Sequence, residues 1–298
     1  MEKQDANLLA KIENSYRSFS KRQKLIADFI LKNYDKAAFM TANALGAASG
    51  VSESTVVRFA YAVGFDGYPK LQKQLQETIK IKLTTVQRMN LMDGMDVKGI
   101  LDTVLKMDMA NIKATRENLD TDSFKKAAEY LVEANRIYVI GYRSSSPLAQ
   151  FCVYYLNYIF DNVRLVSAGA SDIYAQLMHA GKGDVVLALG FPRYSTQTVD
   201  GAHFAKSNGA AIISITDNEM SPLYELCDLC LLARTEMTSF VDSLVAPMSI
   251  INALIVMIGL TKKEQLEANF STVEKIWTEK DVYVRPDSDI VSFEGRDA

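Results

Sequence analysis

Two stretches of this sequence gather hydroxyls and guanidiniums in the same way. One is Gly141-Tyr142-Arg143-Ser144-Ser145-Ser146, followed by Pro147. The other is Phe191-Pro192-Arg193-Tyr194-Ser195-Thr196, followed by Gln197 and Thr198. Each comes directly after a short apolar run, "RIYVI" or "DVVLALG", and each leads into a helical pattern. A helix start offers free backbone N–H groups, and an arginine with hydroxyls beside it makes a site for an anion. The candidate ligand-binding residues are therefore Arg143, Ser144, Ser145, Ser146, Arg193, Ser195, Thr196 and Thr198. Serine and threonine also cap helices as a matter of routine. It is the repetition, with an arginine each time, that points to one small ligand carrying a phosphate and a polyol.

A third cluster lies near the other end of the chain. "TANALGAASGVSESTVVRFAYAVGF" reads as two short helices joined by a glycine turn, with Thr41 and Ser52 as caps and Gly50 in the turn. Leu45, Val51, Val56 and Phe59 fall where the two helices must meet. Ser52, Glu53, Ser54, Thr55, Arg58 and Tyr61 fall on the outer side or leading end of the second helix. Small hydroxyls can approach phosphates or bases there, and an arginine can fork onto a guanine. Gly46 stands where alanine is usual and is expected to loosen the first helix without a clash. Upstream, "SKRQKLIADFILKNY" places Lys21 and Arg22 in the first turn of a helix, against its dipole, which suits contact with something negative. Downstream, Pro69 opens a helix with Leu71, Leu75 and Ile79 on one face and Lys70, Lys73 and Lys80 elsewhere.

Acid–base chemistry is thinly provided. His179 and His203 fall within helical patterns rather than on strand-end loops. Asp217 follows a strand and Asp242 opens the last helix of the unit; either could accept from sugar hydroxyls or simply cap. Cys227 and Cys230 form a lone C-x-x-C leading into a strand, with no second pair to complete a metal site. No nucleophile elbow or phosphate-binding P-loop is present, and the loop at Gly141 lacks the three glycines of a dinucleotide fingerprint. No cofactor, metal or catalytic residue is expected.

The elements that position these residues follow from periodicity. The chain has 298 residues, 48% hydrophobic and 23% charged, which suits about two globular domains. Residues 1–80 read as helices only. Residues 81–122 form a helical linker in which Ile100, Val104, Met107 (or Asp108), Asn111 and Ile112 sketch a poor apolar stripe, open to a second chain. From 123 to 262, short apolar strands alternate with helices. That alternation means a parallel sheet covered on both faces, with ligands expected beyond the carboxyl ends of the strands. Residues 263–298 form a further extension. The fold class is an all-α helix-turn-helix domain followed by an α/β doubly wound parallel five-stranded sheet.

Charge divides along the same line. Residues 1–90 hold 14 Lys and Arg against 8 Asp and Glu, and the remainder holds 19 against 28. A basic head on an acidic body suggests an anionic partner for the head, such as nucleic acid. Three cysteines in apolar surroundings argue against a disulfide framework and for a reducing, cytoplasmic setting. "APMSIINALIVMIGL" is too short to span a bilayer and suits a buried helix, so no membrane partner and no signal peptide is expected.

"SKRQKLIADFILKN" and "GVSESTVVRF…GFDGYPKLQ" resemble the N-terminal domain of the RpiR family of bacterial transcription regulators. The unit from 123 onward resembles the SIS (sugar isomerase) domain that follows it in that family. The family's first loop has the form G-x-G-x-S-x-x-x-A; Gly141, Ser145 and Ala149 match, and Arg143 replaces the second glycine. Its second loop is typically S-G-x-T, and Pro192-Arg193-Tyr194-Ser195 occupies it here. The resemblance implies a regulator that binds double-stranded operator DNA as a homodimer or homotetramer. It further implies a phosphorylated sugar or sugar-acid effector held in the SIS domain. A sugar-phosphate isomerase with an accessory basic domain is the alternative.

Overall fold

The computed structural model describes residues 8–82, 84–169 and 171–284. Among the described residues six α-helices build the head: α1 (Leu8–Ser15), α2 (Lys21–Lys32), α3 (Tyr34–Ala37), α4 (Ala42–Ser49), α5 (Glu53–Ala62) and α6 (Tyr68–Lys82). Their starts are where the capping residues predict. The Ser20 hydroxyl accepts from the Gln23 amide while the Gln23 side chain accepts from the Ser20 amide, closing a capping box. The Thr41 hydroxyl accepts from the Ala44 amide. Leu45, Val56 and Phe59 are fully buried between α4 and α5, with Ile26, Ile30, Leu71 and Leu75 completing the core. Leu25 lies exposed on α2. The side chains of Ile79 and Lys80 lie outside the described residues.

The turn between α4 and α5 corrects the reading of Gly46. A Cβ there would come within 2.9 Å of the Val51 carbonyl oxygen and 3.3 Å of the Glu53 amide nitrogen. The glycine is a packing requirement: it lets the second helix start against the back of the first. Gly50 closes α4 with φ at 71°, the left-handed conformation that a helix C-terminus favours.

Two helices cross the linker, α7 (Thr85–Met89) and α8 (Val97–Asn118). The expected stripe on α8 divides: Asn111 is buried and Val104, Met107 and Asp108 are half-buried, whereas Ile100 and Ile112 are exposed. The buried residues of the helix are Asn111 and Thr115, while Val97, Leu101, Leu105 and Met109 are more than half exposed. Asn111 and Thr115, with the half-buried Val104 and Met107, face the body, and a second apolar row faces outward.

The body begins with α9 (Thr121–Glu133). It continues as β1 (Ile137–Ile140), α10 (Ser146–Leu156), β2 (Val163–Val166), α11 (Ile173–Leu177), β3 (Val185–Leu189) and α12 (Thr196–Ser207). It then closes with β4 (Ala211–Thr216), α13 (Pro222–Leu226), β5 (Leu229–Leu232) and α14 (Val245–Thr261). The five strands are parallel in the order β2-β1-β3-β4-β5. Alternate residues face opposite layers: Val139 and Leu187 pack with α9, α10 and α14, whereas Tyr138 and Val186 pack with α11, α12 and α13. The "APMSIINALIVMIGL" run is α14, with Ile250, Ile251, Leu254 and Ile258 buried against the sheet. It starts at Val245, so Asp242 lies in the preceding loop rather than opening the helix.

Beyond the unit expected to end at 262, residues Lys263–Glu279 form α15, none of whose residues is buried. The rest of the extension, 285–298, lies outside the described residues. Among the described residues no single helix is long and apolar enough to cross a membrane.

Candidate functional site

Strand order reverses between β1 and β3, since β1 leads to β2 on one side and pairs β3 on the other. Both arginine loops emerge from these adjacent strands, at the carboxyl edge where open parallel sheets bind ligands. They are joined directly: the Tyr142 amide donates to the Thr198 hydroxyl at 3.2 Å. Together they line a cavity of about 990 Å³, with Arg143, Ser144, Ser145, Arg193, Ser195 and Thr196 in its wall. Thr198 lines it too, from a buried position.

Ser146, expected at this site, does not line the cavity; it sits on α10 and accepts from the Gln150 side-chain amide at 3.2 Å. His179 and His203 are exposed and outside the cavity.

The hydroxyls at the two helix starts are not spent on capping. Ser145 and Ser195 occupy the N-cap positions of α10 and α12, yet neither side chain accepts from a backbone amide. Ser145 is only 4% exposed. Gly141 makes the first turn tight enough for this, since a Cβ there would stand 2.9 Å from the Ser145 carbonyl oxygen. Arg143 and Arg193 both adopt left-handed backbone, with φ of 57° and 62°. Asp281 is the one other described non-glycine residue with positive φ. A side chain in this region costs roughly 1–3 kcal/mol when the surroundings enforce it.

Sequence reasoning found one residue of the far wall, Asp242, as an acceptor for sugar hydroxyls, and missed the rest. Phe240, Val241, Asp242 and Leu244 come from the loop between β5 and α14 and complete the cavity. Asp242 accepts from Arg88 Nη1 at 3.0 Å, and the Arg88 side chain is fully buried. Burial lowers the Arg88 pKa, Asp242 opposes that, and the nearby Arg193 charge lowers it further. Arg193 itself donates to the Thr85 hydroxyl on α7 at 3.2 Å. No sequence signal joins residues this far apart in the chain. Asp217 is not a cavity residue; it accepts from the Tyr194 hydroxyl at 2.6 Å. The thiols of Cys227 and Cys230 are close enough to hydrogen-bond, which lowers the pKa of the first and raises that of the second.

On the head, Ser52, Glu53, Ser54 and Arg58 are exposed on α5, and Tyr61 is 60% exposed. Thr55 corrects the expectation: it is 4% exposed and turned inward, with its hydroxyl 2.9 Å from that of Ser52. Ser52 spends its oxygen on Ser54 and Thr55 rather than on a backbone cap. Lys21 and Arg22 are exposed at the start of α2. Arg22 shares a shallow cleft with Gly46, Gly50 and Ser52, so the α2 start and the turn present one surface.

This pairing of a helix-turn-helix head with a parallel-sheet body matches two family models. Residues 6–82 match the helix-turn-helix domain of the rpiR family, and residues 130–257 match the SIS domain. Together they span more than half of the chain. The chain belongs to the RpiR family. It is a transcriptional regulator with helix-turn-helix and SIS domains. An HTH-type transcriptional regulator of Caldanaerobacter subterraneus is 26% identical over 86% of this chain and 92% of its own length. HexR of Pseudomonas aeruginosa is 28% identical over 76% of this chain and 78% of its own. Among solved structures, the Vibrio vulnificus NanR protein complexed with ManNAc-6P shares the fold, with a TM-score of 0.56. It is 21% identical, covering 92% of this chain and 98% of that one.

Proposed function

We propose that this RpiR-family regulator binds double-stranded operator DNA through the exposed face of α5 and the start of α2. We further propose that a phosphorylated sugar or related sugar acid in the strand-end cavity changes that binding. The DNA-contacting residues are Ser52, Glu53, Ser54, Arg58 and Tyr61, with Lys21 and Arg22 alongside on the backbone. Arg58 is the base-reading candidate, since its guanidinium stands exposed one turn into the recognition helix.

The observation that carries the reading is the loop of residues 233–244, which touches three parts of the molecule at once. Its end lines the cavity. Its middle is stitched to the linker. The Glu236 amide donates to Asn111 Oδ1, Asn111 Nδ2 donates to the Glu236 carbonyl, and Ser243 donates to Asp108. Met237 packs on the core of the head. A ligand that draws Arg193 away from Thr85, or presses on Phe240 and Asp242, changes how the linker and head are held. A difference in ligand affinity of ~1–3 kcal/mol between two arrangements suffices for regulation.

Two copies are required for half-site spacing to report such a change, and the outward row Val97, Leu101, Leu105 and Met109 on α8 suits contact between copies. Sensing is favoured over isomerisation because the carboxylate among the described cavity residues, Asp242, is already engaged by Arg88. NanR, whose fold this chain shares, is complexed with a sugar phosphate.

The test is a thermal-shift screen of sugar phosphates and sugar acids, followed by gel-shift assays with promoter DNA with and without any hit. A hit that moves both melting and DNA affinity is expected. Changing Ser145→Ala together with Ser195→Ala should leave DNA binding intact and remove the response. A normal response in that double variant places the effector elsewhere.

A further inference from the structure

Arg143 and Arg193 stand in separate loops on neighbouring strands, and each is exposed to the same cavity. Neither forms an ion pair with a carboxylate among the described residues. The cavity's own carboxylate, Asp242, is spoken for by the buried Arg88. The wall thus presents two uncompensated positive charges.

Each arginine comes with its own set of donors. Arg143 has Ser144, Ser145 and the start of α10; Arg193 has Ser195, Thr196 and the start of α12. The Ser145 hydroxyl is the decisive group in the first set. It is more than nine-tenths buried, lines the cavity, and makes no side-chain hydrogen bond among the described residues. The second set has the uncapped Ser195 at an equivalent place. The two sets share one cavity of about 990 Å³ and together offer more cationic and hydroxyl donors than one phosphate needs.

We propose that the effector carries two anionic groups at opposite ends of a polyhydroxyl chain, one held by the Arg143 loop and the other by the Arg193 loop. A phosphorylated sugar acid or a sugar bisphosphate has this chemistry. The proposal rests on the reading of the cavity as the effector site and narrows the class of ligand it takes. The backbone supplies the means to test it. Both arginines lie in the left-handed region, where glycine is at ease. Arg143→Gly and Arg193→Gly therefore remove each guanidinium while relieving, not adding, strain, so both variants should melt no lower than the parent.

The full-length protein is titrated by calorimetry with four probes: glucose phosphate, gluconate, phosphogluconate and fructose bisphosphate. The two-anion probes are expected to bind at least tenfold tighter than the one-anion probes. Each glycine variant should lose about tenfold or more for the two-anion probes. Each should also spare a one-anion probe that docks at the other loop. If glucose phosphate binds as tightly as phosphogluconate and both variants weaken it equally, the arginines clamp one shared anion. The cavity reading then stands and the two-anion proposal falls. If no probe of either class binds and neither variant changes any response found in the wider screen, the cavity is not the effector site and both readings fail.

Discussion

The head and the seam beneath the cavity are held together by opposite means. The head closes around Leu45, Val56, Phe59, Ile26 and Ile30, all fully buried and all apolar. The seam joins the 233–244 loop to the linker through Arg88–Asp242, Asn111–Glu236, Thr115–Arg234 and Ser243–Asp108. Apolar packing tolerates no partial displacement, because each lost contact opens a cavity. Hydrogen bonds between polar partners can be exchanged for bonds to water or ligand at a net cost of about 1 kcal/mol each. A rigid reader on a remakeable joint is what a ligand-controlled DNA-binding protein requires, and the division falls in that place.

The comparison can be broken most forcefully at Asp242. Asp242→Ala strips the buried Arg88 of the carboxylate it donates to, and should lower stability by about 3 kcal/mol in urea unfolding. Pairing Arg88→Met with Asp242→Leu should recover most of that loss, while the effector's influence on DNA affinity stays weakened. Leu45→Ala should cost the head about 2–5 kcal/mol, abolish operator binding in gel shift, and leave ligand-induced stabilisation of the body in place. Arg58→Ala should leave melting unchanged, since the side chain is exposed, and reduce operator affinity by about 1–3 kcal/mol. Thr85→Val should have the smallest effect. It removes one exposed hydrogen bond to Arg193 worth about 1 kcal/mol or less. It should reduce the effector's effect on operator affinity without changing affinity in the absence of effector.

Local signals made much of this protein legible. Ser20, Thr41, Gly50 and Pro147 mark helix ends that the structure reproduces, because caps act through bonds to residues two to four positions away. The five strands and their parallel direction follow from apolar runs alternating with helices, a pattern written along the chain itself. The two arginine loops were visible for the same reason: each is a contiguous motif. What stayed hidden was contact between distant segments. Thr55 reads as an outer hydroxyl until α4 closes over it. Gly46 reads as a weak helix former until the Val51 carbonyl arrives at its back. On α8 the stripe shows the side that packs but not what holds it, because Asn111 and Thr115 are matched to loop carbonyls and amides more than a hundred positions later. The sequence by itself determined the elements, their order and the chemistry of each loop, since those depend on neighbours within a turn or two. Only the tertiary structure decided that the two loops share one cavity and that Asp242 is claimed by Arg88. It alone also tied the cavity wall to the linker and the head. Such pairings depend on which surfaces meet when the chain closes, and spacing along the chain does not encode them.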